Sequence, residues 1–364
     1  MMNNVLSKLD VEEEYRSYRS RKVLFILGLV IGCLIIAGIS LTYNGRGIGF
    51  FECYEYLIKH ILGTQYEFRT AEWFDDYVLW NTYTPRIVIA IISGCGLAVC
   101  GVIMQSVLAN PLADPYTVGV SDGATLGASI AIITGLTLSN ISGSLGIVTN
   151  AFIGAIVPAT ILILLSSMVR MSPATCILIG TALSGIFSGI QTLISYSADS
   201  ENLTAALRWG IGSFNQTTWS DCIIPAIITV TGIVISMLMY RSLNLILIGE
   251  SGAKSLGLDV EKFKSLCMIM VAVIAASIVS FVGVIGFVGL IAPHMMRMFM
   301  GGDSKYVIPA SMLAGTFLLL LSDLLSRVLI YPDELRVGLI MSVIGAPAFL
   351  YMIVKRKKGY GDVF

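Results

Sequence analysis

Charged residues are scarce in this chain. Asp, Glu, Lys and Arg make up 13% of its 364 residues, about half of the roughly 25% that is usual in soluble proteins. The 23 basic residues equal the 23 acidic residues, so no excess of charge attracts a polyanion. This composition excludes a disordered chain, an ordinary soluble enzyme and a nucleic-acid-binding protein.

Residues that bind metals or perform catalysis are also few. The chain has two histidines, His60 and His294, and its seven cysteines form no CxxC pair. Most of these cysteines lie in apolar runs, where a thiol packs as a small hydrophobic group. Residues 249–255 approach a phosphate-binding loop but have Ala253 instead of glycine before the lysine. The sequence therefore predicts no catalytic site, no metal site and no cofactor bound by this chain.

Long apolar runs are what the chain does contain. Apolar residues make up 56% of it, and its mean hydropathy is +0.84. Because the runs are unbroken rather than alternating, and one helical span needs about 20 residues, the sequence predicts roughly ten transmembrane helices. Glycines at 283, 286 and 289 predict a break in the long uncharged stretch near residue 285. The predicted spans are 23–43, 85–108, 119–138, 146–168, 174–196, 222–240, 265–282, 285–300, 307–330 and 337–354.

The basic residues indicate the direction of the chain through the membrane. With the N-terminus in the cytoplasm, most of the 23 Lys and Arg residues fall on the inner side, as the positive-inside rule requires. We therefore expect a cell-membrane protein with both termini cytoplasmic. The predicted division is a cytoplasmic N-terminal segment (1–22), a transmembrane domain (23–354) and a cytoplasmic tail (355–364). The domain includes an acidic external loop (44–84) and a cytoplasmic segment (241–264).

Four charged residues lie within or beside apolar runs, where a charge is costly, namely Asp114, Asp122, Asp323 and Arg327. Asp323 and Arg327 have the i, i+4 spacing that puts both on one helix face. They form either a self-neutralising pair or a site where the arginine is presented to an outside partner. Asp114 and Asp122 either cap the start of the third span or conduct ions, and capping is favoured.

Pairs of small residues occur in several spans with GxxxG spacing, which is typical of closely packed membrane helices. An alternative is that these residues line a substrate pathway. The pairs are Gly28/Gly32, Gly123/Gly127 and Gly185/Gly189.

The segment 241–264 alternates short apolar patches with charges and contains three glycines. This pattern predicts two short helices joined by a glycine turn at the cytoplasmic surface. The segment is either an amphipathic linker or a docking element for a soluble partner. A membrane transport domain without its own nucleotide site requires such an element.

Three colinear blocks of sequence resemble the FecCD family of ABC-importer permeases, which import iron-siderophores, haem and cobalamin. The resemblance extends from about residue 85 to the C-terminus. The first block is Thr84-Pro85-Arg86, Gly101-Val102-Ile103-Met104-Gln105, residues 110–115, residues 118–121 and Gly123-Ala124. The second is residues 286–290 with Pro293, His294 and Arg297. The third is Asp323, Arg327, Glu334-Leu335, Val337-Gly338 and residues 344–347.

The resemblance implies an all-α polytopic membrane protein with ten transmembrane helices and the type II ABC importer permease fold. It implies a homodimer in the lipid bilayer with the pathway along the dimer interface. Two ATP-binding subunits would dock on the cytoplasmic side and bind ATP and Mg, while an extracytoplasmic solute-binding protein would dock outside. ATP hydrolysis would belong to the partner subunits, so this chain would not be an enzyme.

Residue roles also follow from the resemblance. ATPase coupling is assigned to Gly249, Glu250, Ala253, Leu256 and Gly257. Docking of the binding protein is assigned to Arg86 and Arg327, although Tyr83 stands where family members often have another arginine. The cytoplasmic gate is assigned to Ser172, Pro173, Ala174 and Thr175, of which Pro173 departs from the family pattern.

The expected function is that of the permease subunit of an ATP-driven importer of a metal chelate. An iron-siderophore is the first candidate, followed by haem and cobalamin. The alternative is an ion-gradient-driven secondary transporter, which requires buried acids along a path, and the sequence contains no such chain of acids. A membrane-embedded enzyme would require clustered histidines or carboxylates, which the sequence also lacks.

Overall fold

The computed structural model describes residues 8–138, 143–166 and 172–359, and every regular element in these ranges is helical. The first half contains α1 (Lys8–Thr42), α2 (Phe50–Ile61), α3 (Ala71–Val78), α4 (Thr84–Val107), α5 (Val120–Ser129), α6 (Ser144–Ser166) and α7 (Pro173–Tyr196). The second half contains α8 (Ser200–Trp209), α9 (Trp219–Leu238), α10 (Tyr240–Leu247), α11 (Glu250–Ser255), α12 (Val260–Val282), α13 (Val288–Met300), α14 (Ser304–Val328) and α15 (Val337–Gly359).

Seven helical stretches in the described ranges are long and apolar enough to cross a membrane, and two shorter apolar helices accompany them. The predicted all-α polytopic architecture is confirmed, whereas the predicted number of ten spans stays a prediction. The seven stretches are Arg19–Thr42, Ala71–Val107, Ser144–Leu165, Ala174–Tyr196, Trp219–Leu238, Val260–Val282 and Ser304–Val328, and the shorter helices are Val120–Thr134 and Val337–Met352.

Helices continue through several predicted boundaries. The external loop contains α2 and α3, and a π-helical stretch (Leu79–Tyr83) joins α3 to α4 in one helix. Both domain boundaries, at 22/23 and 354/355, fall inside a helix (α1 and α15), so the proposed division marks no structural break and stays a prediction. The predicted end of the fourth span at residue 168 lies outside the described residues.

The predicted break near residue 285 is present. Helix α12 ends at Val282, Gly283 has a left-handed φ of 75°, and α13 starts at Val288. The unpaired backbone groups of the break are satisfied by the segment after α8, because the Gly212 amide donates to the Val284 carbonyl at 2.8 Å. Gly289, which the sequence also assigned to the break, lies instead inside α13 and packs on α4.

The core surrounds α4, which contacts α14, α9, α12 and α13. In the apolar stretch of the α3–α4 helix, 78% of the residues are buried, against 17% for α7. Close approach needs glycine here, because a Cβ on Gly94 would overlap the backbone of Thr316 and one on Gly101 would overlap the carbonyl of Gly289. Helix α7 is correspondingly the span whose surface is left outside this core.

Substitution of Gly101 by alanine is expected to destabilise the subunit by about 1–3 kcal/mol, the usual cost of overpacking a tight core. The added methyl group can be accommodated only if α4 and α13 separate, because its obstacle is backbone. Thermal unfolding of the purified protein in detergent measures the effect. Gly28→Ala is the matched control, since a Cβ there meets nothing within 4 Å. Equal melting temperatures for the two variants would contradict the prediction.

The other small-residue and capping predictions have mixed outcomes. Gly123 and Gly127 pack directly on the backbone of α6, as expected for a helix contact. A Cβ on Gly185 or Gly189 of α7 would meet nothing within 4 Å, so that pair makes no helix contact within the described residues. Asp114 does cap a short 3-10 turn (Pro115–Val118) before α5, accepting from the Tyr116 and Thr117 amides at 3.0 and 2.9 Å.

Candidate functional site

A charged cluster, which we call the outer cluster after the side of the membrane that the sequence predicts for it, consists of the buried residues Arg86, Asp323 and Arg327 and of Glu334, whose side chain is 32% exposed. Arg86 Nε donates to Asp323 Oδ1 at 2.7 Å, and Arg327 Nη2 donates to the other carboxylate oxygen at 3.1 Å. The Asp323 side chain is 1% exposed, so both bonds lie away from water. The sequence spacing predicted that Asp323 and Arg327 pair, and this is confirmed.

Further contacts of the outer cluster join four parts of the chain. Arg86 Nη1 also donates to Glu334, in the loop after α14, at 2.8 Å. Arg327 Nη1 donates to the backbone carbonyl of Ser40 at 3.0 Å, near the end of α1. Two arginines and two acids balance in charge, and each guanidinium has several acceptors, which is what makes a buried ion cluster tolerable. The cluster therefore ties α1, α4 and α14 together at one end of the bundle.

The structure gives Arg86 and Arg327 an interior position. Each residue is about 5% exposed, and their charges are already matched by Asp323 and Glu334. In this conformation, docking of a partner on either guanidinium would require these contacts to be broken. The docking role of the two arginines therefore stays a prediction, and their observed role is to connect helices.

A cavity of about 960 Å³ opens beside α8 and the extension of α5. Its charged lining residues are Arg208, Arg336 and Glu201, and Trp209 supplies an aromatic wall. Arg336 donates to the Ile211 carbonyl at 3.1 Å, and its pKa lies below the ordinary arginine value because it is partly buried and near Arg208. Sequence reasoning missed this site, although both arginines were among the basic residues predicted to lie outside.

The segment 241–264, which the sequence predicts to be cytoplasmic, begins within α10, and this helix is fixed to the bundle. Leu243 and Ile246 are buried in the core on its inner face. Asn244 Nδ2 donates to Asp303 Oδ1 at 2.9 Å, and the Ser304 amide donates to Asn244 Oδ1 at 2.8 Å. These paired bonds attach α10 to the start of α14. Movement of α10 would therefore be transmitted directly to α14.

Helix α11 contains two of the five predicted coupling residues, Glu250 and Ala253, and the other three lie directly before or after it. Gly249 (φ 109°) and Gly257 (φ 89°) flank it in conformations that favour glycine, and Ala253 is fully buried. Glu250 pairs with Lys264 at the start of α12, and this hydrogen bond lowers the pKa of the Glu250 carboxyl. The predicted pair of short helices with a glycine turn is thus confirmed. Helix α10 precedes the residues that resemble a phosphate loop, so the strand that such a loop requires is not there.

Two large apolar side chains of this segment face outward. Ile248 is 69% exposed and Leu256 is 64% exposed, while the inner faces of α10 and α11 are buried. Sequence reasoning had selected Leu256 but not Ile248. Ile248 follows α10 and Leu256 follows α11, so these two large apolar residues lie on either side of Ala253. Their positions in the sequence are the signal that could have identified both.

The predicted gate segment forms the start of α7. Ser172 caps the helix, its hydroxyl accepting from the Thr175 amide at 3.1 Å. Pro173 occupies the first helical position, where a missing amide hydrogen costs nothing. The unexpected proline therefore has a local structural reason. Because 167–171 lie outside the described residues, the gate role of Ser172, Pro173, Ala174 and Thr175 stays a prediction.

In the described ranges, no three His, Cys, Asp or Glu side chains come together as a metal site. The seven cysteines are unpaired thiols, six of them buried and Cys95 half-buried. The site chemistry of these ranges thus consists of ion pairs, exposed apolar contacts and an arginine-lined cavity.

Comparison with known proteins gives consistent matches over nearly the whole chain. The FecCD transport family matches residues 22–355. A protein of Methanocaldococcus jannaschii, named provisionally as an ABC transporter permease, is 34% identical over 359 residues, covering 96% of this chain and 99% of that protein. The hemin transport system permease protein HmuU of Yersinia pestis is 33% identical over 293 residues, covering 77% and 88%. A solved ABC transporter in an inward-facing conformation, assigned provisionally to the metal-chelate type, superimposes with a TM-score of 0.77 at 29% identity, covering 91% of this chain and 98% of that one.

Proposed function

Because the chain belongs to the FecCD transport family, as the sequence blocks predicted, we propose that two copies of it form the pathway of an ATP-driven importer. The chain is a multi-pass membrane permease of the ABC importer type for metal chelates and has the type II permease fold. In the proposal it lies in the cytoplasmic membrane with both termini inside. ATP and Mg bind to separate subunits, and this chain performs no catalysis.

The exposed apolar pair Ile248 and Leu256 is the observation that carries the proposal. The segment that bears them is anchored by Leu243, Ile246 and Ala253, so their exposure is not the result of a loose loop. Exposed hydrophobic side chains on an anchored element are typical of a surface that a partner covers. We assign this surface to the ATP-binding subunit, as the resemblance implies for Gly249, Glu250, Ala253, Leu256 and Gly257.

Coupling would then follow from the attachments of this segment. The bonds of Asn244 connect α10 to α14, and the Glu250–Lys264 pair connects α11 to α12. When two ATP-binding subunits close, they would move the segment and with it these two spans. Such coupling is a population shift between outward-open and inward-open states.

The proposed homodimer places the second copy against α7. This span is the least buried of the seven candidate spans in the described ranges, and Gly185 and Gly189 lie on its open surface. Small residues there let a second backbone approach or leave space for a bulky solute. The pathway would run along this interface, with residues 172–175 at its cytoplasmic end.

At the outer face, the solute-binding protein would deliver the chelate to the cavity beside α8. The cavity volume of about 960 Å³ gives room for a bulky chelate, and Arg208, Arg336 and Trp209 can contact its anionic and flat parts. An iron-siderophore remains the first proposed substrate, with haem next in view of the hemin-transporting relative and cobalamin after it. Arg86 and Arg327 are proposed docking residues only for a conformation in which the outer cluster opens.

The alternative of a secondary transporter finds no support in the described acids. Asp323 is matched by two arginines, Asp114 caps a turn, and Asp122 accepts a hydrogen bond from Ser184. These positions do not form a path of acids across the bundle.

The proposed function is tested by reconstitution in proteoliposomes with the ATP-binding subunits inside and the loaded binding protein outside. Uptake of a ferric chelate is expected with internal ATP and is expected to stop when ATP is omitted. A proton or sodium gradient without ATP is expected to give no uptake. Gradient-driven uptake without ATP would overturn the proposal in favour of a secondary transporter.

A double substitution, Glu250→Arg with Gly257→Trp, follows from the sequence as a test of coupling. Uptake is expected to be lost while the binding protein still docks. The structure shows that this variant also changes the segment itself. The first change puts a second positive charge opposite Lys264, and the second puts a bulky side chain on a residue with a left-handed φ of 89°. A substitution at the exposed Leu256 avoids both effects.

A further inference from the structure

Helix α2 (Phe50–Ile61) lies in the stretch that the sequence predicts to be an external loop. Its inner face is attached to the bundle. Cys53 is fully buried, and His60 Nδ1 lies 2.8 Å from an Asp76 oxygen while its ring stacks on Trp80 at 4.1 Å. The helix is therefore a fixed part of the fold and not a mobile connection.

The first turns of α2 lie beside the apolar part of α1. The rings of Phe50 and Tyr54 pack where a Cβ on Gly38 would be, and the Tyr54 hydroxyl donates to the Leu34 carbonyl. Gly38 and Leu34 precede the end of α1 at Thr42 by four and eight residues, which at 1.5 Å per residue is about 6 and 12 Å. Measured along α1, these contacts lie inside the span and below its outer end.

The outward face of α2 is apolar. Phe51 is 83% exposed, Ile58 57% and Ile61 71%, and their spacing of seven and three residues puts them on one side of the helix. Glu55 and Lys59 lie on the adjoining side of the helix, which lines a polar cavity with Arg46 and Asp75, and they form an i, i+4 ion pair at 2.7 Å. The helix thus has one face suited to hydrocarbon and one suited to water.

We propose that α2 is an interfacial helix that inserts into the outer leaflet of the membrane, with Phe51 and Ile58 in contact with lipid acyl chains. The depth of about 6–12 Å matches that of amphipathic helices at the boundary of headgroups and acyl chains. The exposed face of α2 also adjoins the open surface of α1, a candidate span that is only 28% buried. The occupant is lipid, because the solute-binding protein would have to enter the hydrocarbon beside α1 to reach this face, and the proposed homodimer places the second copy against α7 instead.

The charged residues of α2, Glu52, Glu55 and Lys59, all line one polar cavity on the side of the helix that adjoins the apolar side chains. Lys59 and Glu55 would meet the headgroups and water above the leaflet, while Trp80 and its neighbour Trp219, with ring centroids 4.9 Å apart, lie near the C-terminal end of α2. Tryptophan is the residue that membrane proteins favour at this level. Although residues 44–84 are acidic overall, one side of α2 within this stretch would therefore contact lipid and not water.

Photo-crosslinking tests the proposal in membranes from cells that express the full-length chain. Phe51→p-benzoylphenylalanine and Ile58→p-benzoylphenylalanine are expected to give phospholipid adducts, detected by mass spectrometry of the purified protein. The matched controls are the same replacement at Glu55 and at Lys59, on the adjoining side that lines the polar cavity, where the yield of lipid adduct is expected to fall. Equal adduct yields at all four positions would overturn the proposal.

The crosslinked products also identify any competing occupant. A band at twice the mass of the chain from position 51 or 58 would show a second copy on this face. A band that contains the solute-binding protein would show a docking surface instead, and either band would overturn the proposal. The experiment needs neither ATP nor a chelate, so its outcome is independent of the importer function proposed above.

Discussion

Replacement of Asp323 by leucine is expected to destabilise the subunit by on the order of 3–5 kcal/mol, because it leaves buried charges without their partner. Asp323 accepts from both Arg86 and Arg327, and its side chain is 1% exposed. Without it, Glu334 alone faces two guanidinium groups in the outer cluster. Thermal unfolding in a fixed detergent, followed by the fraction of monodisperse protein after heating, measures the loss.

Two further variants make the prediction specific to charge balance. Asp333→Leu applies the same substitution to an exposed neighbour of Glu334 and is expected to leave stability nearly unchanged. Asp323→Leu combined with Arg327→Met restores one positive charge against one negative charge, and it is expected to be more stable than Asp323→Leu alone. If the double variant melts at or below the single variant, the balance of charge is not what stabilises this end of the bundle.

The outer cluster illustrates how far the sequence predicts this protein. Asp323 and Arg327 are four residues apart on one helix, so spacing alone predicts their pair. Arg86 is 237 positions from Asp323, and their contact depends on the close packing of α4 on α14 that Gly94 and Gly315 permit. Helix packing of this kind leaves no local signal. The docking role of Arg86 and Arg327 was implied by the resemblance, and the structure buries both side chains.

The break after α12 has a local signal in the sequence, whereas the position of the helix between α1 and α4 does not. Glycine at position 283 marks the break directly, because the chain there adopts a left-handed φ. In the loop, Glu52, Glu55 and Lys59 interrupt the apolar residues of α2, and the average polarity conceals a helix with one apolar face. Its contact with Gly38 of α1 is a tertiary property that composition does not contain.

The segment 241–264, to which we assign coupling in the proposal, is the part of the candidate site that the sequence predicts best. Its glycines, its charges and its place after the sixth predicted span are all local features, and the two short helices are present. The sequence does not distinguish side chains that anchor the segment from those that face a partner. Ala253 was grouped with Leu256, yet the first is fully buried and the second is 64% exposed. This difference decides which residue is suited to a functional test.

Replacement of Leu256 by aspartate is expected to abolish ATP-driven uptake of a chelate while the subunit folds normally. The side chain is 64% exposed, so a carboxylate there costs the isolated subunit little. In contact with an ATP-binding subunit, the same carboxylate would be buried without a partner and an apolar anchor would be lost. Loss of an anchor of this kind typically costs about 2 kcal/mol or more of binding free energy.

Three measurements separate loss of coupling from loss of structure. For Leu256→Asp, we expect the melting temperature and the capture of the binding protein to equal those of the wild type. We expect co-purification of the ATP-binding subunit and ATP-dependent uptake in proteoliposomes to fall together. Leu256→Met keeps an apolar side chain of similar size and is expected to retain both activities. Normal uptake by Leu256→Asp would mean that the surface formed by Ile248 and Leu256 does not transmit ATP hydrolysis to the membrane helices.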